Sequence, residues 1–280
     1  MKEADSMKRR RKWIVRIVVL LLVLCFCWMQ NKYLTITHYT YNSVKLPEEF
    51  EGYRIVQVSD LHNASFGWNN KRLISKLEDL APDMIVITGD VVDSSRTNLE
   101  VAIDFAKQTV EIAPTYYITG NHENWLEAEE KEYLLESLKE AGVICLEDEL
   151  TEVWQQEESI ILLGLNDESL AGSRLNMLLL GEESEQLQIL LAHEPQYLDN
   201  YADSGVDLVL TGHAHGGQFR IPFVGGVVAP DQGLFPKYTE GVHVQGSTTM
   251  IISRGLGNSV IPLRLFNLPE IVCVDLNVEK

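Results

Sequence analysis

The run Gly212-His213-Ala214-His215-Gly216-Gly217 sets two imidazoles one residue apart in a glycine-rich turn, directly after the apolar stretch Val206 to Thr211. Two histidines so spaced can face two different metal ions. Upstream stand the partners such ions would need: Asp60 with His62, Asp90 with Asp93, Asn121 with His122, and His193. Five of the seven histidines fall in these clusters, leaving only His38 and His243 elsewhere, which argues against five unrelated structural uses. Taken singly, each has a plainer alternative. Asp60 and Asn121 can cap turns, Gly89-Asp90 can start a loop, His193 can be a satisfied core histidine, and Asp93 can cap the turn before Ser94 and Ser95.

Carboxylate and imidazole donors together suit Mn, Fe, Zn or Ni better than Mg or Ca, which prefer shells of oxygen. Hydrolysis of a phosphoester needs a nucleophile at neutral pH and neutralisation of charge on the phosphoryl oxygens. Two metal ions roughly 3.5 to 4 Å apart supply both. The residues therefore point to a two-metal hydrolase.

The elements that must position these groups are legible around them. Each cluster follows an apolar run of strand length: Ile55 to Ser59, Met84 to Thr88, Tyr116 to Thr119, Gln188 to Ala192, and Val206 to Thr211. Helix-like segments follow the first three, over Lys71 to Leu80, Leu99 to Val110 and Glu127 to Ala141. Such alternation predicts a parallel or mixed sheet with ligands bound beyond the carboxyl ends of its strands. All five clusters then converge on one edge.

The ordered pattern D-x-H, G-D-x-x-D, G-N-H-E, H, G-H-x-H resembles the calcineurin-like metallophosphoesterase family over roughly residues 50 to 278. The segments Gly216-Gly217-Gln218, Ser253 to Gly257 and Arg264-Leu265-Phe266 are similar to its membrane-anchored bacterial branch. The resemblance implies an α/β fold, a four-layer αββα sandwich of two mixed β-sheets. It implies that Asp60, His62 and His215 hold one divalent transition-metal ion, that Asn121, His193 and His213 hold a second, and that Asp90 bridges them. It also implies that His122 is an unliganded acid oriented by Asp93, a carboxylate that would raise its pKa toward the working pH. Glu123 has no role evident from sequence.

One departure limits the carry-over. Protein phosphatases of the superfamily place an arginine just after the Asp93 position as a phosphate clamp, and this chain has Ser94. Arg254, in a glycine-rich turn, is the expected substitute contact to the substrate anion, with an ordinary surface arginine as the equal alternative.

Residues 1 to 16 carry seven Lys/Arg and two acids, followed by the wholly apolar run Ile17 to Met29. That is the layout of an export signal. No small-residue cleavage site follows, so an uncleaved signal anchor is expected over residues 1–33, with a catalytic domain over 34–280; secretion after cleavage is the alternative. The positive-inside rule puts the N-terminus in the cytoplasm and the domain outside it. Cys25 and Cys27 lie in the apolar segment, and whether Cys145 pairs with Cys273 is open.

Beyond residue 16 the chain holds 16 Lys/Arg against 39 Asp/Glu, a net charge of −23. Such a surface repels nucleic-acid phosphates, which disfavours the nuclease branch of the superfamily. The expected substrate is a phosphorylated small molecule or lipid of the cell envelope, with no nucleic-acid or protein partner. A UDP-2,3-diacylglucosamine pyrophosphatase-like activity is an alternative, against which stands His122 where the better-known enzymes of that activity carry arginine. From a different class, the fold could serve as a non-catalytic metal-binding scaffold. Retention of all seven ligands and of the acid argues against it.

Overall fold

The computed structural model describes residues 2–166, 171–179 and 185–279. Met1 and Lys280, the outer ends of the two expected segments, lie outside the described residues. In chain order the first half runs α1 (Lys2–Lys32), β1 (Thr35–Ser43), β2 (Arg54–Val58), α2 (Lys71–Leu80), β3 (Met84–Thr88), α3 (Leu99–Thr109), β4 (Thr115–Ile118), α4 (Asn121–Asn124), α5 (Ala128–Glu140) and β5 (Ile144–Cys145). The second half runs β6 (Glu149–Gln155), β7 (Glu158–Gly164), α6 (Ala171–Leu179), β8 (Gln188–Leu191), α7 (Leu198–Asp203) and β9 (Leu208–Thr211). Four two-residue strands follow, β10 (Arg220–Ile221), β11 (Gly225–Gly226), β12 (Val228–Ala229) and β13 (Gly233–Leu234), then β14 (Gly241–Gln245), β15 (Thr248–Ile252) and β16 (Glu270–Val278).

Two six-stranded mixed sheets result. The first has the order β1-β16-β2-β3-β4-β5 and the second β14-β15-β9-β8-β7-β6. Strands β2 to β5 are parallel, as are β15, β9, β8 and β7, and the exceptions are β16 against β2, β14 against β15, and β6 against β7.

The apolar runs become strands because both of their faces are buried. In β3, Met84 and Val86 enter the core between the sheets, while Ile85 and Ile87 meet Leu73, Leu77, Phe105 and Leu134 of the helices outside. Likewise Ile189 and Leu191 of β8 face the inner core, and Leu190 faces outward toward Leu198 and Tyr201 of α7. Each such aliphatic side chain contributes about 1.5–3 kcal/mol by leaving water. Helices thus cover both outer faces, and the expected αββα sandwich is what forms. Cys145 and Cys273 are free and buried, on strands separated by β2, β3 and β4.

The apolar run near the N-terminus lies within α1, whose stretch Arg9–Lys32 is 24 residues, long and apolar enough to cross a membrane. Its last turns dock on the domain. Asn31 Oδ1 accepts bonds from Asn258 Nδ2 (2.7 Å) and the Arg264 amide (3.3 Å), and Gln30 Oε1 accepts one from the Asn267 amide (3.3 Å).

Candidate metal centre

The chain bends sharply after three of the strands that carry a cluster, β2, β3 and β9. Asp60 (φ 52°), His62 (44°), Asp90 (54°), His213 (63°) and His215 (48°) all adopt left-handed backbone conformations. Non-glycine residues pay on the order of 1–3 kcal/mol each for this, and such outliers gather where function fixes the geometry. The neighbouring glycines clear the space these side chains fill. A Cβ on Gly120 would sit on Asp90 Oδ1, and one on Gly212 on Asp60 Oδ2 and Ser59 Oγ.

The bends bring the side chains into two adjoining groups. In the first, His62 Nε2 lies 3.2 Å from His215 Nε2 and 3.4 Å from Asp90 Oδ2, and His215 Nε2 lies 3.5 Å from Asp60 Oδ1. In the second, Asp90 Oδ2 lies 3.3 Å from His193 Nε2, close to His213, whose Nδ1 is 2.9 Å from Asn121 Oδ1. Asp90 belongs to both groups. Its other oxygen, Oδ1, accepts the His122 amide at 2.8 Å, which leaves Oδ2 turned to the histidines.

These residues fit divalent metal ions. Donor separations of 3.2–3.5 Å are the edges of a coordination shell with bonds of roughly 2.1 Å. Burial drives His62 down to about 4 and His215 well below its ordinary value, so both imidazoles are neutral and keep a lone pair. Burial alone would raise the Asp90 carboxyl, but His193, by charge and by hydrogen bond, does most to hold Asp90 below the usual carboxylate range. Two buried carboxylates among imidazole nitrogens form a donor set that calls for cations. Hydrogen bonds behind the histidines orient them: His193 Nδ1 meets the Thr88 carbonyl at 2.7 Å, and His213 Nε2 meets Asp231 Oδ2 at 3.1 Å.

Two of the expected contacts differ. Asp93 Oδ1 stands 3.9 Å from His122 Nδ1, too far for a hydrogen bond. It accepts instead from Ser95 N (3.0 Å) and Ser95 Oγ (2.6 Å), and its second oxygen is held by Arg96. This is the turn-capping alternative. His122 Nδ1 accepts from the Ser94 amide at 3.1 Å, and its Nε2 lies 3.0 Å from Ser259 Oγ.

Arg254 is likewise engaged within the protein. Its guanidinium pairs with Glu270 at 3.0 Å and Glu240 at 3.6 Å, and also donates to Thr35 Oγ1 at 3.2 Å. Two carboxylates already neutralise it. The cations at the mouth of the site are Arg96 and Lys32, which line a cavity of about 400 Å³ together with His62, Asn63, Asp93 and Asn258.

Glu123 and Arg264 hold the scaffold. Glu123 is wholly buried and accepts the amides of Asp90 (2.8 Å), Gly120 (2.7 Å) and Val92 (3.1 Å), tying the turn after β3 to the turn after β4. Burial, reinforced by the Asp90 charge, lifts its carboxyl to about 7. Arg264, also wholly buried, donates to the carbonyls of Gly257 and Arg254 (2.8 Å) and so fixes the turn that packs on Asp60. The G-N-H-E and R-L-F segments were visible in sequence, but their partners lie far along the chain.

Two mixed sheets whose carboxyl ends share paired Asp/His clusters define a metal-dependent phosphoesterase. This chain belongs to the calcineurin-like phosphoesterase family, whose model matches residues 53–217. It is 31% identical to the Bacillus subtilis (strain 168) metallophosphoesterase YkuE over 246 residues, 86% of this chain and 84% of that one. It is 30% identical to the Escherichia coli (strain K12) phosphodiesterase YaeI over 229 residues, 80% and 82% of the two chains. A Danio rerio transmembrane protein with a metallophosphoesterase domain is 30% identical over 83% of this chain and 55% of its own length.

Proposed function

We propose that the chain is a dinuclear hydrolase of a phosphoester or pyrophosphate bond in a lipid or cell-envelope substrate, held at the membrane by α1. The observation that carries the dinuclear reading is the position of Asp90 Oδ2, 3.4 Å from His62 Nε2 and 3.3 Å from His193 Nε2. Asp60, His62 and His215 would hold one ion, Asn121, His193 and His213 the other, and Asp90 both. Two bound divalent transition-metal ions, from Mn, Fe, Zn and Ni, supply a nucleophile at neutral pH and neutralise charge on the phosphoryl oxygens.

The chain's own groups do the rest. His122 would protonate the leaving-group oxygen from Nε2 as an imidazolium, its Nδ1–H then donating to Ser94 Oγ, 3.1 Å away, in place of accepting from the Ser94 amide. Asp93 keeps that amide in place by capping the turn after it. Arg96, whose Nε and Nη2 are engaged by Asp93, offers its remaining Nη1 to a phosphoryl oxygen at the cavity mouth.

The substrate reading rests on Lys32. It is the last residue of α1 and it lines the same cavity as His62 and Asp93, so a phosphorylated headgroup at a membrane surface lies within reach. Residues 1–33 then form the anchor and 34–280 the catalytic domain, on the outer side of the membrane. The relative named phosphodiesterase favours a diester. Full-length protein purified without chelators and supplied with Mn should release nitrophenol from bis(p-nitrophenyl) phosphate and phosphate headgroups from phospholipid in mixed micelles. Hydrolysis of the aryl ester without any lipid product would remove the lipid reading, and no hydrolysis of either would favour the scaffold.

A further inference from the structure

The hairpin after the histidine pair reaches back to the apolar helix. Phe26 lies six residues before the end of α1, about 9 Å along an axis rising 1.5 Å per residue, and within the run Ile17 to Met29. Phe266 packs on it with ring centroids 5.7 Å apart, yet keeps 59% of its surface exposed. The Arg220 amide donates to the Leu265 carbonyl at 2.9 Å, which ties the hairpin of β10 and β11 to Phe266. Ile221, Pro222, Phe223, Val224 and Phe266 together line one open cavity of about 380 Å³.

At the tip of this hairpin Phe223 is fully exposed, and Val224 and Ile221 are exposed beside it. Phe223 has φ 68°, a conformation that bulky residues rarely adopt, and here it turns the ring away from the protein. Val260 is 91% exposed two residues after Asn258, whose side chain bonds Asn31. Large apolar side chains exposed together on one hairpin tip mark a site of interaction. Its continuity with Phe26 identifies the partner, because a bilayer around the Ile17 to Met29 run lies against Phe266 as well.

We infer that the Ile221–Val224 tip and Phe266 seat in the interfacial layer of the bilayer that α1 crosses, as a second membrane contact beside the helix. The inference rests on the reading of α1 as a membrane span. A single helix would leave the domain free to turn about the span axis. A second contact fixes that angle and holds the Lys32 cavity against the headgroups.

The test uses full-length protein in nanodiscs of phosphatidylethanolamine and phosphatidylglycerol, with Cys25 and Cys27 replaced by Ala and a nitroxide on Phe223→Cys or, separately, Val224→Cys. Leu22→Cys reports on the span itself, and Trp154→Cys, on the far edge of the second sheet, reports on water. The tip labels are expected to collide with oxygen more than with a water-soluble nickel chelate, as at Leu22, with several-fold less nickel contact than at Trp154. Nickel contact at the tip equal to that at Trp154, with Leu22 still embedded, would overturn the second contact and leave the span intact. An aqueous label at Leu22 would remove the span and the inference together. Shielding of the tip from both reagents would mean that protein covers it, and would also overturn the inference.

Discussion

Asp93 and His122 are neighbours without being partners: 3.9 Å separates the carboxylate from the ring nitrogen that faces it, and the Ser94 amide fills the gap. The carboxylate therefore acts on the imidazole through the backbone turn it caps. Replacing His122 by Ala should leave metal content unchanged and lower kcat roughly 10²- to 10⁴-fold for a substrate with a poor leaving group. Asp93→Asn, which keeps one capping oxygen, should cost much less. Equal losses in the two variants, measured with an alkyl phosphoester, would restore a direct carboxylate–imidazole coupling.

Glu123 should matter more than its distance from solvent suggests. Three backbone amides converge on its carboxylate, and leaving buried donors without an acceptor costs about 1–3 kcal/mol each. Glu123→Ala is expected to lower thermal stability strongly and to weaken metal retention. Glu123→Gln, which turns an amide N–H toward those donors, should recover only part of either. Wild-type stability in both variants would contradict the role of Glu123 in joining the two turns.

The arginines separate in the same way. Arg96→Ala should raise KM for an anionic substrate, whereas Arg254→Ala should act on stability, because it removes the cation paired with the buried Glu270 and leaves Glu240 to Arg220 alone. Steady-state kinetics beside thermal melts distinguishes the two, and a KM effect confined to Arg254 would return the anion contact to that residue.

Much of this molecule was legible in the chain. The strands that carry the site are apolar on both faces, so their runs announced themselves, and each ended at the residues that converge. The αββα layering came with the family resemblance. What sequence could not give were contacts set by tertiary packing. Nothing near Arg254 announces that Glu240 and Glu270 claim it, and Asp231, eighteen residues past His213, reads as an ordinary turn acid until the hairpin brings it to Nε2. The strain at Asp60, Asp90 and His213 was equally hidden, since those residues adopt φ above zero only because the turns are held by Glu123, Arg264 and the motif glycines.

The proposed topology rests on the basic start before the apolar run. Intact protein should fractionate with membranes at full length, and protease added to spheroplasts or protoplasts should digest the domain while the N-terminus stays protected. A soluble product beginning near residue 30 would convert the anchor into a cleaved signal. Protection of the domain in sealed cells would reverse the orientation.

The most direct test is metal stoichiometry in Asp90→Asn. Protein purified without chelators should carry two transition-metal ions per chain, lose both with its phosphodiester hydrolysis on chelation, and recover activity with Mn. Asp90→Asn should fall below one ion per chain, because Oδ2 faces both groups of donors. Two ions retained in Asp90→Asn, or none in the wild type, would contradict a dinuclear centre built around this carboxylate.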